Sequence, residues 1–273
     1  MIKVDLHLHT TASDGTWTNH ILLQEVRRHK IEVFSITDHN TMENALKMKE
    51  LCIDNGLTFI PGVEISCYYK LKEYHITTYG FDPGSAALQK LLAANQQSME
   101  AYSRQVTAYI CALTGAFSLE QYDRYENDRT RGGCKAINFL LDAGAIDRME
   151  QFFEYAVESK AKPVLPEAHQ VIETVKSAGG RPILAHPSVY HGGALMDEEE
   201  LKEWINLGVM GLECFHPSAD KAHSDFYTAF CRKNNLMVTG GSDCHGAFLP
   251  RRSIGHPEVT MDMLRADFLH QGP

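Results

Sequence analysis

Apolar and polar residues alternate along the N-terminal part of the chain in a way that predicts strands joined by helices. Residues 2–8 alternate with a period of two, which is typical of a β-strand, and the following runs are short and apolar or carry one apolar stripe at helical spacing. The predicted strands are residues 2–8, 31–36, 58–65 and 74–81, and the predicted helices are residues 21–28 and 41–55. The pattern breaks at Asp82-Pro83-Gly84, a sequence typical of a turn.

The pattern changes between about residues 86 and 164. Long stretches at helical spacing, including residues 88–113 and 135–143, follow one another without strand-like runs between them. We therefore expect residues 86–164 to form a helical insertion, and residues 1–85 and 165–273 to form one domain around it.

The alternation of strands and helices resumes after the insertion. The predicted helices are residues 167–178, 198–207 and 224–234, and the predicted strands are residues 182–185, 209–214 and 236–239. About seven strands that alternate with helices indicate an α/β protein, and they favour a parallel barrel over an open sheet.

Composition excludes several functional classes. A chain of 273 residues with 44 % hydrophobic and 22 % charged residues can bury a sizeable core, and no apolar run approaches the roughly 20 residues that span a bilayer. The N-terminus has no signal-peptide pattern, and the seven cysteines include no Cys-x-x-Cys, so we expect free thiols in the cytoplasm. The net charge of −9 argues against nucleic acid or an anionic membrane as the main partner. The sequence contains no Gly-x-Gly-x-x-Gly or Walker motif, which argues against a dinucleotide-binding enzyme or an NTPase.

Histidines and acids recur at the ends of the predicted strands. His7 and His9 are two apart on the first strand and therefore share one face. A single His-x-His is as often a pair of structural histidines as a metal site, but residues of the same kind follow the later strands. They are Asp38, His39, Glu64, His75, His186, His216, Asp243 and His245. Because the carboxyl ends of barrel strands meet at one mouth, this recurrence predicts a shared metal site.

Five motifs, in this order along the chain, resemble the PHP (polymerase and histidinol phosphatase) family. They are Asp5-Leu-His-Leu-His-Thr with Ser13-Asp-Gly, Ile36-Thr-Asp-His-Asn, Pro61-Gly-Val-Glu, Ala185-His-Pro and Gly241-Ser-Asp-Cys-His. The resemblance covers about residues 1–85 and 165–260. It implies a distorted, TIM-like (β/α)7 barrel that carries two or three divalent metal ions and hydrolyses phosphate esters.

The resemblance also implies three metal sites. His7, His9, Glu64 and Asp243 would hold the first ion, Glu64 would bridge to a second held by His75 and His186, and Asp14, His39 and His245 would hold the third. Mixed imidazole and carboxylate ligands suit Mn²⁺, Fe²⁺ or Zn²⁺.

Three further residues are candidates for the chemistry. His216 lies outside the nine ligands and is expected to contact the substrate or to protonate the leaving group, rather than to be a loop histidine. Asp38, like Asp5, neighbours ligand histidines and would orient them, although hydrogen bonding at a strand end is an equal alternative. Arg131 lies in a basic cluster of the insertion, which would lid the pocket and bind phosphate; a solvated helix start is the alternative. Relatives carry a histidine where this chain has Gly133.

These observations favour an enzyme. The leading hypothesis is a phosphoesterase that cleaves a small phosphorylated metabolite or nucleotide, such as a monoester, a nucleoside bisphosphate or a cyclic phosphate, by attack of a metal-bridging hydroxide. The alternative is exonuclease-type hydrolysis at nucleic-acid ends, because PHP domains also occur as polymerase proofreading modules. An inactive PHP-like scaffold is a third hypothesis, against which the complete ligand set argues. The sequence leaves the oligomeric state open.

Overall fold

The computed structural model describes residues 1–52 and 56–270 and contains one eight-stranded sheet. The strands are β1 (Lys3–Asp5), β2 (Val33–Ile36), β3 (Thr58–Tyr69), β4 (Lys72–Tyr79), β5 (Arg181–Leu184), β6 (Gly211–Phe215), β7 (Met237–Gly240) and β8 (Val259–Thr260). Their order in the sheet is β7-β6-β5-β4-β3-β2-β1-β8. From β1 to β7, neighbours in the sequence are also neighbours in the sheet, so the chain winds around the barrel in one direction, and β8 returns to pair with β1.

Helices cover the outside of the barrel and form the insertion. Those packed on the barrel are α1 (Asn19–Arg28), α2 (Glu43–Cys52), α7 (Ala168–Ser177), α8 (Glu198–Leu207) and α9 (Lys221–Lys233). The insertion contributes α3 (Ala86–Thr114), α4 (Leu119–Arg124), α5 (Lys135–Asp142) and α6 (Met149–Ser159). The predicted strands and helices each have an observed counterpart, except that residues 53–55 of the predicted helix 41–55 lie outside the described residues.

Backbone hydrogen bonds between the segments at the ends of β1 and β7 close the barrel. The Leu6 N–H donates to Gly240 O at 3.2 Å, and the His9 N–H donates to Cys244 O at 3.0 Å. Gly241 is required at this seam, because a Cβ there would lie 2.4 Å from the backbone nitrogen of His7. The end of β1 is thereby held directly beside the end of β7.

The barrel departs from the predicted parallel arrangement in part of the sheet. Three of the seven neighbouring pairs, β1–β8, β3–β4 and β4–β5, are antiparallel. The two residues between β3 and β4, Lys70 and Leu71, both have positive φ (49° and 66°), which makes a tight hairpin that only antiparallel strands can form. β8 is too short for a periodic pattern to reveal it.

The hydrophobic interior is divided between the barrel and the insertion. The barrel is filled by residues such as Leu6, Tyr79 and Ile183, and aliphatic and aromatic side chains lie between the sheet and its outer helices. A separate cluster, which includes Ile110 and Phe139, is formed entirely by residues 102–161. Residues 102–161 thus have a small hydrophobic core of their own.

Candidate metal centre

The nine predicted ligands converge at one end of the barrel. They come from the segments that follow β1, β2, β5 and β7 and from the interiors of β3 and β4. Six of the nine side chains are buried, whereas Asp14 and His39 are each 27 % exposed and His75 is 22 % exposed. All nine lie in one connected network of close contacts, whose members are His7, His9, Asp14, His39, Glu64, His75, His186, Asp243 and His245.

Glu64 lies at the centre of this network. Its Oε1 is 3.1 Å from His75 Nδ1 and 2.9 Å from His186 Nε2. Its Oε2 is 3.2 Å from His7 Nε2, 3.3 Å from His9 Nε2 and 3.2 Å from His39 Nδ1. One carboxylate therefore faces two different groups of imidazoles with its two oxygens, which is the arrangement expected of a ligand that bridges two cations.

Asp243 approaches the same imidazoles from β7. Its Oδ1 lies 3.1 Å from His9 Nε2 and 3.4 Å from His7 Nε2. Asp243 has φ of 48° and His186 has φ of 31°, a conformation that residues other than glycine adopt at a cost of about 1–3 kcal/mol. Strained backbone at two candidate ligands indicates that their side-chain positions matter more than local stability.

Asp14 forms the more exposed side of the centre. Its Oδ2 is 3.3 Å from His245 Nε2 and 3.8 Å from His39 Nε2, and its Oδ1 is 3.6 Å from His9 Nδ1. His9 thus touches both the Asp14 group and the His7–Asp243 group, and His39 touches both Asp14 and Glu64. Because His9 and His39 each belong to two groups, the observed groups share more residues than the three metal sites that the sequence predicted.

Burial and charge act against each other throughout this cluster. Burial disfavours the charged forms of His9 and His75, but carboxylates outweigh it and raise the pKa values of these two histidines to about 9 and about 10. At His39 burial prevails and lowers the pKa to about 4. Burial likewise opposes ionisation of Glu64 and Asp243, yet the imidazoles, His7 above all, hold their pKa values well below the usual range. A divalent cation would therefore have to displace protons from His9 and His75 at neutral pH.

The chemistry of these donors fits divalent cations. Glu64 Oε2 and His186 Nδ1 are buried without a hydrogen-bond partner, and His7 Nε2 faces His9 Nε2 at 3.1 Å. Two imidazole nitrogens whose lone pairs meet at that distance repel each other unless a proton or a cation lies between them. Histidine and carboxylate ligands without cysteine suit Mn²⁺, Fe²⁺ or Zn²⁺.

Sequence reasoning missed Glu213, a buried carboxylate on β6 that touches the centre. Its Oε1 is 2.9 Å from His7 Nδ1, and its Oε2 accepts from the His186 N–H at 2.8 Å. Burial opposes its ionisation, but His7 outweighs this and lowers the pKa of Glu213. An acidic residue inside the apolar run of residues 211–215 was the available signal.

His216 and Asp38 have well-defined partners. The Ser218 N–H donates to His216 Nδ1 at 3.0 Å, so the proton of the neutral ring is on Nε2, which lies 3.1 Å from Asp243 Oδ2. Asp38 accepts from the backbone and hydroxyl of Thr10 at 2.7 and 2.6 Å and from the Ser13 hydroxyl at 2.6 Å. The Asp38 carboxylate therefore organises the loop that leads to Asp14, and these bonds match the strand-end alternative.

The Arg131 side chain pairs with residues of the insertion itself. Its guanidinium lies 2.7 Å from Asp142 Oδ2 and 3.1 Å from the Tyr125 hydroxyl, and the side chain is 37 % exposed. Another arginine, Arg252, contacts Asp243 Oδ2 directly.

The insertion meets the barrel at the loop that carries Asp14. The Gly133 N–H donates to Asp14 O at 2.8 Å, and Arg129 Nη2 donates to Ala12 O at 2.7 Å. The ring of Phe248 occupies the space beside Gly133, since a Cβ there would lie 2.7 Å from it. Gly133 also has φ of 65°, so both space and backbone conformation explain the absence of a larger residue at this position.

Comparison with known proteins defines the family. The PHP domain family model matches residues 5–177, more than half of the chain. The chain belongs to the PHP domain family. This confirms the resemblance carried by the motifs, and with it the barrel fold and the metal-dependent phosphoesterase class.

Relatives of this PHP protein hydrolyse phosphate esters. A 3′,5′-nucleoside bisphosphate phosphatase of Chromobacterium violaceum is 25 % identical over 94 % of this chain and 92 % of its own length. The 5′-3′ exoribonuclease Rnm of Escherichia coli is 29 % identical over 88 % of this chain and 84 % of its own length. A crystal structure of a proposed metal-dependent phosphoesterase from Bifidobacterium adolescentis superimposes with a TM-score of 0.79 at 26 % identity, covering 95 % of this chain and 93 % of that one.

Two sequence-based expectations concern nucleic acid and membranes as partners. Similarity to an exoribonuclease leaves the expectation of no nucleic-acid partner without support. Over residues 1–52 and 56–270, no helix is long and apolar enough to cross a membrane.

Proposed function

We propose that this PHP enzyme hydrolyses the 3′-phosphate of a nucleotide that also carries a 5′-phosphate, using up to three divalent ions. The observation that carries the catalytic part is the buried Glu64 carboxylate, whose two oxygens face His75 and His186 on one side and His7, His9 and His39 on the other. Such a centre has no structural purpose in an apolar barrel, because burying so many ionisable groups is costly without a cation to pair them.

The substrate part of the proposal is supported by what the relatives act on. One acts on 3′,5′-nucleoside bisphosphates and another degrades RNA from its 5′ end. In both substrates a nucleoside has a phosphorus atom on its 3′ oxygen and a position for phosphate on its 5′ oxygen. A pocket that recognises the 5′-phosphate and cleaves at the 3′ phosphorus would serve either substrate.

In this proposal each group of residues has one task. His7, His9, Glu64 and Asp243 hold the first ion, Glu64, His75 and His186 the second, and Asp14, His39 and His245 the third. When bound, Mn²⁺, Fe²⁺ or Zn²⁺ would neutralise phosphoryl charge and lower the pKa of water from 15.7 to about 7.

His216 is the candidate proton donor to the leaving oxygen. The Ser218 N–H keeps the lone pair on Nδ1, so the proton available to the substrate is the one on Nε2, at the edge of the ligand group. Asp38 keeps the loop of residues 10–13 in place. The Nε2 proton of His216 would thus lie beside Asp243, a proposed ligand of the first ion, where a general acid is needed.

The insertion is proposed to be the lid that selects the substrate. Residues 129–133 lie against the Asp14 loop, so an ordered insertion covers one side of the centre. To bind the second phosphate, the Arg131 guanidinium would release Asp142 and pair with the phosphate instead, so one anionic partner replaces another.

The free thiols of all seven cysteines, including Cys214 and Cys231 with sulfur atoms 3.8 Å apart, support the cytoplasm as the location.

A hydrolysis assay on metal-reconstituted enzyme, which quantifies both released phosphate and nucleotide products, tests the proposal. Adenosine 3′,5′-bisphosphate, 3′-AMP, 5′-AMP and a 5′-phosphorylated oligoribonucleotide are compared, with chelator-treated enzyme as the control. We expect the bisphosphate to be cleaved to 5′-AMP at least about tenfold faster than either monophosphate, a preference of about 1.4 kcal/mol. Equal rates on all monoesters, or no activity on any nucleotide, would contradict it.

Exoribonuclease activity is the second candidate, favoured by 29 % identity to Rnm over most of both chains. The oligoribonucleotide arm of the same assay distinguishes the two. Release of 5′-mononucleotides at a kcat/KM equal to or above that for the bisphosphate would make RNA the principal substrate.

A further inference from the structure

Glu213 is a buried carboxylate that touches two candidate ligands without being one of the nine. It lies on β6, is 2 % exposed, and points into the barrel mouth. The register between β6 and β7 shifts between Glu213 and Phe215, an irregularity of the kind that re-aims side chains next to active sites. The neighbouring Cys214 packs into the cluster between the sheet and its helices.

Both oxygens of this carboxylate accept a hydrogen bond. Oε1 is 2.9 Å from His7 Nδ1, and Oε2 accepts from the His186 N–H at 2.8 Å. A carboxylate beside Nδ1 requires the proton on that nitrogen, which leaves the lone pair of His7 on Nε2. His7 Nε2 is the atom that faces Glu64 Oε2 at 3.2 Å, so the tautomer that Glu213 favours directs the lone pair into the centre.

The second contact concerns the backbone. His186 has φ of 31°, a strained conformation for a histidine, and its N–H would be a buried unpaired donor without Glu213. The bond therefore helps to keep the His186 ring directed at Glu64 Oε1, 2.9 Å away.

We infer that Glu213 is a positioning residue that sets two metal sites at once: it fixes the tautomer of His7, a ligand of the first, and the backbone of His186, a ligand of the second. The inference rests on the metal part of the proposed function and is independent of the substrate. It predicts that one substitution at Glu213 weakens two ions together, although Glu213 binds neither.

Glu213→Gln is the informative variant because glutamine has the same shape but only one accepting oxygen. It can accept from His7 or from the His186 N–H, but not from both, and its amide NH₂ then faces a donor. Glu200→Gln is the matched control: Glu200 also pairs with a histidine, His191 at 2.8 Å, and with the Tyr74 hydroxyl, and neither partner is one of the nine ligands.

The measurement is metal affinity without substrate. Zn²⁺ is titrated into chelator-treated protein in competition with a chromophoric chelator, and circular dichroism monitors the fold. We expect Glu213→Gln to lose about 10–100-fold in affinity for the two tightest ions, while Glu200→Gln binds as the parent protein does. Parental affinity in a folded Glu213→Gln variant would overturn the inference.

A second measurement needs no variant at Glu213. Long-range ¹H–¹⁵N NMR of the Zn²⁺-loaded parent protein with labelled histidine reports the tautomer of each ring, and His7→Gln assigns the His7 signals. The inference requires a protonated Nδ1 on His7. A proton on Nε2 would overturn it even if Glu213→Gln fails to fold, and neither result depends on which phosphate ester the enzyme cleaves.

Discussion

The barrel mouth and the insertion are built on different principles. All nine candidate ligands come from the barrel, and those at its centre are almost inaccessible to solvent: the side chains of Glu64 and Asp243 are 1 % and 3 % exposed. The insertion contributes none of the nine. Its charged residues, such as Arg131 and Asp142, pair with each other at 37 % and 46 % exposure.

In the proposed function, this difference separates the chemistry of the barrel from substrate selection by the insertion. The barrel strands and the segments that follow them position the candidate ligands, and residues 129–133 of the insertion contact the loop that carries Asp14. The insertion has its own core and reaches the centre through the short segment of residues 129–133. A protein built in this way can change its substrate by changing the insertion while the centre stays the same.

The largest effect on metal content and activity is expected for Glu64, at the centre of the ligand network. Glu64→Gln keeps the shape of the side chain but removes the charge that two groups of imidazoles share. We expect a loss of at least two ions per chain by elemental analysis and a fall in kcat/KM of about 10³-fold or more, which is about 4 kcal/mol. Glu32→Gln, an exposed glutamate on the barrel, is the control. Full metal content in Glu64→Gln would mean that Glu64 is not a bridging ligand.

A smaller effect is expected in the insertion, and of a different kind. Arg131→Ala should keep its full metal content while kcat/KM for the true substrate falls about 10²-fold, which is about 2.7 kcal/mol. Arg131→Lys should recover only part of this, because an ammonium cannot make the two parallel bonds of a guanidinium.

Arg148→Ala is the matched control for Arg131, since Arg148 is an exposed insertion arginine paired with Glu154 at 2.7 Å. If Arg131→Ala hydrolyses the substrate at the parental rate, its guanidinium only ties Asp142 to Tyr125. The metals and His216 would then have to hold the phosphate without it.

The smallest effect tests the contact between the two regions. Arg129 donates to Ala12 O, two residues before Asp14, so Arg129→Ala should loosen the Asp14 loop and no other part of the centre. We expect up to about a tenfold weaker affinity for one ion of the three, the value of one charge-assisted hydrogen bond. Competition titration with Zn²⁺ measures it, and Arg124→Ala, which removes an exposed helix pair, is the control. Weakening of all ions equally would show that the insertion supports the whole centre.

The sequence alone determined the regular parts of the site. A period of two places His7 and His9 on the same strand face, and repeated acids and histidines after apolar runs indicated a common mouth. These are local properties, since they depend on strand geometry and on the order of elements along the chain. The family followed from the same residues, because its motifs are short and continuous.

Only the tertiary structure decided which groups touch. Glu213 meets His7 across 206 positions of sequence; the apolar run around Glu213 indicates a buried acid, but no local pattern tells which residue it contacts. Asp38 is turned toward Thr10 and Ser13, and Arg131 toward Asp142, because hydrogen-bonding partners are chosen by distance in the folded chain. The direction of β4 was likewise set by the positive φ of Lys70 and Leu71, which residue type does not reveal. Strand periodicity depends on residues that are close together in the sequence, whereas the pairing of buried charges depends on contacts that form only after the barrel has closed.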